Sequence, residues 1–162
     1  FLLGRGRGDE LSGIAVANSF KLWHILIIAD LSVSTPYAYS LFDKYFCERK
    51  TRARSLNFAK KMKLTMPDYG ANIITHALLK KDVSLLNYYS YNSFKDIIIN
   101  NFPQIARLKK KLETLTTELI HLSGSGSSLF ITLSHRKEAG SLVCKIQNAL
   151  TRSRCMLVST YA

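Results

Sequence analysis

Acidic side chains are scarce in this chain: 11 Asp and Glu stand against 23 Lys and Arg, for a formal net charge of +12. Such an excess attracts anions, either nucleic acid or a small phosphorylated molecule. The positive residues are scattered, however. Only Arg49 to Arg54, followed by Lys60 to Lys63, gathers them, inside a polar stretch (Glu48 to Met66) that reads as a loop or weak helix. Dispersed charge of this kind argues against a nucleic-acid partner. Asp9 and Glu10 are adjacent, and adjacent strand residues face opposite sides, so they make no acid/base pair and no catalytic residue is assigned. Cysteine is nearly absent. Cys47, Cys144 and Cys155 are odd in number and lack C-x-x-C spacing, which excludes a disulfide framework and a zinc site and suits a reducing cytoplasm, or a plastid in a eukaryote. Cys144 lies in an apolar helical pattern and reads as a small core residue. His24, His76, His121 and His135 show no H-x-x-x-H spacing, so no metal ligand is assigned; His24 and His121 read as core residues and His135 as an exposed helix start. Long apolar runs are missing as well. Leu22 to Ala29 is broken by His24 and ends at Asp30, far short of the roughly 18 residues that span a bilayer, and no secretory signal is visible. The chain opens Phe1-Leu2-Leu3 without a methionine, which suggests a piece of a longer protein.

The content that remains is that of one folded domain: 162 residues, 47% hydrophobic and 21% charged, enough to bury a core. Gly4, Gly6 and Gly8 alternate with Arg5 and Arg7, a period that predicts a strand edge over Phe1 to Leu11. Leu22 to Ala29 predicts a central strand. Thr35-Pro36 predicts a helix start, with Thr35 as cap and Pro36 at the first helical position, running to about Phe46. Pro67 to Gly70 is turn-like. Short helices follow over Ala71 to Lys81, Asp82 to Tyr88 and from Asn92 to Phe102. Pro103 opens another, with Ile105, Leu108, Leu112 and Leu115 at helical spacing. After two strands, His135 to Leu150 is an amphipathic helix with Ala139, Leu142, Val143, Ile146 and Leu150 on one face, and Cys155 to Ser159 is a last strand. The order matches an α+β, ferredoxin-like split β-α-β sandwich with a helical insertion.

The two middle strands, Glu118 to Leu122 and Leu129 to Leu133, enclose Ser123-Gly124-Ser125-Gly126-Ser127-Ser128. A flexible linker would have polar flanks; this run is clamped between apolar ones. Glycine permits positive φ and close approach to the main chain, and successive amides in such a turn can form an anion-binding concavity. A plain glycine-rich hairpin turn is the alternative.

Three segments occur in order: Gly6-Arg7-Gly8-Asp9-Glu10-Leu11; Val33-Ser34-Thr35-Pro36-Tyr37-Ala38-Tyr39 with Leu41-Phe42-Asp43; and Asn92-Ser93-Phe94, Pro103, then Leu122 through the glycine run to Phe130. Together they resemble the C-terminal part of the 4-diphosphocytidyl-2-C-methyl-D-erythritol kinase family, in the superfamily of galactokinase, homoserine kinase and mevalonate kinase. The glycine run points to the superfamily; the Ser-Thr-Pro-x-x-Tyr and Gly-Arg-Gly-acid segments point to the diphosphocytidyl member. The resemblance implies ATP and Mg²⁺ as cofactors, a CDP-linked sugar alcohol as substrate, and a second, N-terminal kinase domain that carries the ATP loop and the catalytic aspartate. This chain shows neither, and is expected to be inactive by itself. Residues 1–20 would then be the tail of that N-terminal domain or a linking strand, and 21–162 the substrate-binding domain. The resemblance further implies that Thr35, Pro36 and Tyr39 lie on the cytidine side and that Ser123, Gly124, Ser125, Gly126, Ser127 and Ser128 line the phosphate region. A homoserine or mevalonate type of kinase, and a basic ferredoxin-like RNA-binding module, remain alternatives; the latter lacks the aromatic RNP pattern.

Overall fold

The apolar run after Leu22 becomes the strand around which the rest is arranged, β3 (Trp23–Ile28). The computed structural model describes residues 1–5, 9–16, 20–52, 69–150 and 153–160. β3 pairs antiparallel with β5 (Leu129–Leu133) on one side and with β6 (Arg154–Ser159) on the other, and β4 (Ile120–Leu122) pairs with the far edge of β5. The sheet order is β4-β5-β3-β6. The first and third strands of this sheet are central, the second and fourth lie at its edges, and the expected split β-α-β architecture is what forms.

Register decides the two faces. Ile25 sits opposite Ile131 and Leu157, and Ile27 opposite Leu129 and Cys155, so these side chains emerge on the same side. That side is the core. Ile25, Ile27, Leu129 and Ile131 have at most 1% of their surface exposed, and each such burial contributes about 1.5–3 kcal/mol. Against them pack Ala139, Val143 and Ile146 of α6 (Arg136–Ala149), Ile98 of α4 (Lys95–Asn101), and Ile105 and Leu112 of α5 (Pro103–Glu113). The opposite face carries His24, Leu26, Phe130, Thr132 and His121. It is covered in part by α3 (Val83–Tyr89), whose buried Asn87 donates from Nδ2 to the Thr132 carbonyl at 2.9 Å. Thr132 lies one residue beyond the stretch of β5 that β4 pairs, so a side chain takes over there from the ladder.

Several local expectations shift. The segment at the start is two strands, β1 (Leu2–Arg5) and β2 (Glu10–Gly13), paired as a separate two-stranded sheet; Gly6, Arg7 and Gly8 lie outside the described residues. Helix α1 (Thr35–Arg52) begins at Thr35 and runs past Phe46. The Ala38 amide bonds to the Ser34 carbonyl at 2.9 Å, so Ser34 holds the cap position and the Thr35 hydroxyl is released for another partner. Glu48 to Arg52 continue this helix, while 53–66, with Lys60 to Lys63, lie outside the described residues. Tyr69 and Gly70 open α2 (Tyr69–Lys80) instead of making a turn. No helix among the described residues is long and apolar enough to cross a membrane.

Cys144 is exposed, contrary to its expected core position, whereas Cys155 is buried. In α6 Cys144 follows Val143 directly, and one residue turns the side chain by about 100° off the buried stripe. Burial pushes the Cys155 thiol up from its ordinary pKa, which lowers its thiolate fraction. In the native protein iodoacetamide will therefore label Cys144 before Cys155, with Cys155 reacting only once the chain is denatured; peptide mapping by mass reads the order.

Candidate functional site

The glycine turn folds on itself first. The Ser123 amide donates to the Ser128 carbonyl at 2.9 Å and the Gly126 amide to the Ser123 carbonyl at 3.0 Å. Gly124 and Gly126 have φ of +54° and +90°, in the region that favours glycine. At Gly126 space is also short, since a Cβ there would come within 3.2 Å of Ile98 Cγ2; at Gly124 nothing lies within 4 Å. Two of the turn's amides are thus spent internally. Those of Gly124 and Ser125 have no acceptor among the described residues, so any anion-binding capacity rests on fewer donors than six residues suggest.

Contacts from distant segments then position the turn. Ser127 Oγ donates to the carbonyl of Leu31, in the connection between β3 and α1. Thr35 Oγ1 and Ser125 Oγ are hydrogen-bonded at 3.1 Å, so the hydroxyl expected to cap α1 instead ties the helix start to the turn. Asn92 donates from Nδ2 to the carbonyls of Leu122 and Gly124, each at 2.8 Å, and its Oδ1 accepts from the Phe94 amide at 2.9 Å.

These ties enclose an open cavity of ≈ 460 Å³. Among the sequence-predicted residues, Thr35, Tyr39, Gly124 and Ser125 line it; Pro36, Ser123, Gly126, Ser127 and Ser128 do not. Tyr39 is 54% exposed, and its ring meets Phe94 at 4.9 Å and 74°, edge to face. Phe42 reaches the same Phe94 from one helical turn further on, at 5.2 Å. Tyr37 points elsewhere, against Phe102 at 6.1 Å, as neighbouring positions on a helix must. Sequence reasoning assigned no role to Phe94 or to the Asn92 side chain. The sequence carried two signals: Asn92-Ser93-Phe94 belongs to the segments of the family resemblance, and an Asn shortly before a helix start is the usual setting of an Asx turn.

Among the described residues, the lining contains no Lys, Arg, Asp or Glu. Its one titratable group besides tyrosine is His121, 7% exposed and stacked on Phe130 at 5.2 Å and 28°. Burial, with the charge of Lys95 adding to it, lowers the His121 pKa, so the ring is neutral at pH 7, and its buried Nε2 has no hydrogen-bond partner among the described residues. His24, across β5, is lowered by burial too and has Nδ1 2.9 Å from Thr132 Oγ1. Among the described residues no three His, Cys, Asp or Glu side chains come together as a metal site. The cavity is therefore aromatic and neutral, rimmed by hydroxyls and two unspent amides. It suits a planar group, with an anionic group at its glycine edge.

No protein-family model matches the chain. Individual proteins do. Over 136 residues it is 28% identical to the 4-diphosphocytidyl-2-C-methyl-D-erythritol kinase of Thermodesulfovibrio yellowstonii, covering 83% of this chain and 41% of that protein. Over 146 residues it is 27% identical to the kinase of the same name from Microcystis aeruginosa, covering 90% and 44%. Over most of its length this chain is thus similar in sequence to proteins named 4-diphosphocytidyl-2-C-methyl-D-erythritol kinase. It spans less than half the length of these relatives. Among solved structures, a 4-(cytidine 5'-diphospho)-2C-methyl-D-erythritol kinase superposes with a TM-score of 0.65 at 18% identity, over 98% of this chain and 48% of that one. The homoserine kinase of Cytophaga hutchinsonii superposes with a TM-score of 0.62 at 14% identity, over 98% and 47%. At those identities the structures share the fold, and the sequence relatives carry the link to the diphosphocytidyl kinases.

Proposed function

We propose that this chain is the substrate-binding half of an ATP-dependent kinase that phosphorylates 4-diphosphocytidyl-2-C-methyl-D-erythritol, in the cytoplasmic synthesis of isoprenoid precursors. One observation supports this reading above the others: the glycine turn and the start of the Tyr39 helix, 90 residues apart in sequence, are hydrogen-bonded through Thr35 and Ser125 and line one cavity. A CDP-linked ligand has the matching two ends. Its cytosine stacks on Tyr39, held ready by Phe94, and its diphosphate meets the Gly124 and Ser125 amides and hydroxyls. Pro36 fixes the backbone at the helix start, and Ser123, Gly126, Ser127 and Ser128 hold the turn.

Phosphoryl transfer asks a protein mainly for position and charge stabilisation. The acceptor hydroxyl attacks the γ-phosphorus of ATP, the bond from that phosphorus to the β-γ bridging oxygen breaks, ADP leaves and the hydroxyl proton passes to a base. The part of this assigned to the present chain is to hold the acceptor. The described residues do not fit an ATP–Mg²⁺ site, since no carboxylate lines the cavity. Both cofactors, the ATP loop and the base are assigned to the other half of the kinase. Residues 1–20, with the exposed Leu2 and Leu11 of the separate β1–β2 sheet, are assigned to that half or to the link with it, because two strands alone are marginal in water. The chain by itself should show no turnover.

Calorimetric titration tests the binding claim. CDP should bind, and Tyr39→Ala should weaken it roughly 5- to 150-fold, the equivalent of about 1–3 kcal/mol per stacked base. The homoserine kinase likeness in fold makes homoserine the competing ligand: binding of homoserine but not CDP would move the assignment to that class. Binding of an arbitrary oligonucleotide that disappears with salt would reflect net charge alone.

A further inference from the structure

We propose that Asn92 is a positioning residue that holds the two ends of the ligand cavity at a set distance; the ligand arm of its test rests on the CDP reading above. Asn92 lies in the connection between α3 and α4. Both hydrogens of its amide are used, one on the carbonyl of Leu122, the last residue of β4, and one on the carbonyl of Gly124 inside the turn. Its Oδ1 accepts from the Phe94 amide, and its own carbonyl accepts from the Lys95 amide at 3.0 Å. Phe94 in turn carries the Tyr39 ring. One side chain is therefore bonded on one side to the turn and on the other to the aromatic wall.

The chemistry of the position is narrow. Two donors and an acceptor on so short a stem belong to asparagine alone; aspartate has the acceptor and no donor, and serine has at most one donor. The Ser123–Ser128 and Gly126–Ser123 bonds close the turn on itself, but they neither fix its distance from Phe94 nor brace it against opening. What Asn92 adds is the placement of the turn relative to Phe94. A ligand that touches only one end is indifferent to that placement. A ligand that touches both is sensitive to it, because its second contact is intramolecular and depends on distance.

Asn92→Asp separates the two roles. The carboxylate still accepts from the Phe94 amide, so the start of α4 is retained, but it faces the Leu122 and Gly124 carbonyls with no hydrogen to offer. In the full chain, CDP affinity should fall tenfold or more in N92D and at least threefold in the uncharged Asn92→Ser, while cytidine affinity changes less than twofold in both; a loss confined to N92D would be repulsion of the diphosphate by the new carboxylate and would overturn the proposal. An equal loss for both ligands, or no loss for either, would overturn the proposal. If the unsubstituted chain binds neither ligand, the kinase reading fails separately, and amide hydrogen exchange decides the positioning claim. The Ser123 and Gly126 amides should then exchange at least tenfold faster in N92D with Ile25 and Ile27 of β3 unchanged; equal rates in the turn would refute it. Asn92→Ser, which keeps an acceptor for Phe94 and can satisfy one carbonyl, gives an intermediate effect and serves in place of N92D should that variant not fold.

Discussion

Gly126→Ala should lower unfolding stability by roughly 2–5 kcal/mol, and Gly124→Ala, two residues away in the same turn, by only about 1–2 kcal/mol. Both glycines have positive φ, +90° at Gly126 and +54° at Gly124, so both substitutions carry the backbone strain of an L-residue there. Only Gly126 carries a second cost. Its new Cβ would lie 3.2 Å from Ile98 Cγ2 and 3.5 Å from Leu122 Cδ1. Both neighbours are buried core residues, at 0% and 2% exposure, and cannot yield without disturbing packing. Denaturant unfolding followed by the fluorescence of Trp23, the one tryptophan of the chain, measures both. Equal losses at the two positions would show that Ile98 does not crowd the turn. Gly124→Ala has a further use: it places a methyl group at the open edge of the cavity, so a loss of CDP binding at nearly unchanged stability would locate the ligand there.

Acidification should destabilise the protein steeply below pH 6.5. Both His24 and His121 have pKa values lowered by burial, with Lys95 adding to the effect at His121. In the unfolded chain each takes up a proton as pH falls through its ordinary value near 6.5; in the folded chain each stays neutral until a lower pH. Below 6.5 the unfolded state therefore binds more protons, and stability falls with pH until the folded-state values are passed. Each such proton contributes a slope of up to about 1.4 kcal/mol per pH unit. The two histidines flank Phe130, with ring centroids 6.2 Å and 5.2 Å from it, and neither faces a carboxylate in the contacts described. Denaturant midpoints between pH 7.5 and 5 give the slope. His121→Phe should flatten it and cost little at pH 7.5, because it removes a buried nitrogen that has no partner among the described residues. An unchanged slope in H121F would assign the acid sensitivity elsewhere.

Much of the fold was legible from local pattern. β3 and β5 are short apolar runs, and the buried stripe of α6 is the one its helical spacing predicts, with Ala139, Val143, Ile146 and Leu150 in the core. Pro103 does open α5. What misled was position within an element. Thr35 looked like a cap, but Ser34 occupies that place, and the choice between adjacent hydroxyls turned on a partner far along the chain. Cys144 looked like core because its neighbours are apolar, yet its angle on the helix exposes it. The stretch Phe1 to Leu11 looked like one strand edge, whereas its described residues belong to two strands, β1 and β2, that pair antiparallel, since alternation reports extended backbone and not its partner.

The candidate site divides the same way. Thr35, Tyr39 and the glycine turn could be named from residue types and from a family resemblance. Asn92 as a staple, Phe94 as the support for Tyr39, and the internal use of two turn amides could not. The sequence by itself determined which segments are strands and helices and which can tolerate a turn, because those depend on side-chain spacing and on backbone freedom over a few residues. The tertiary structure alone decided that Thr35 meets Ser125, Asn92 meets Leu122, and Leu31 meets Ser127, across 90, 30 and 96 residues. Those contacts follow from the β4-β5-β3-β6 order of the sheet, which brings the ends of distant strands together, and hydrogen bonds at that range are set by geometry that no local pattern encodes.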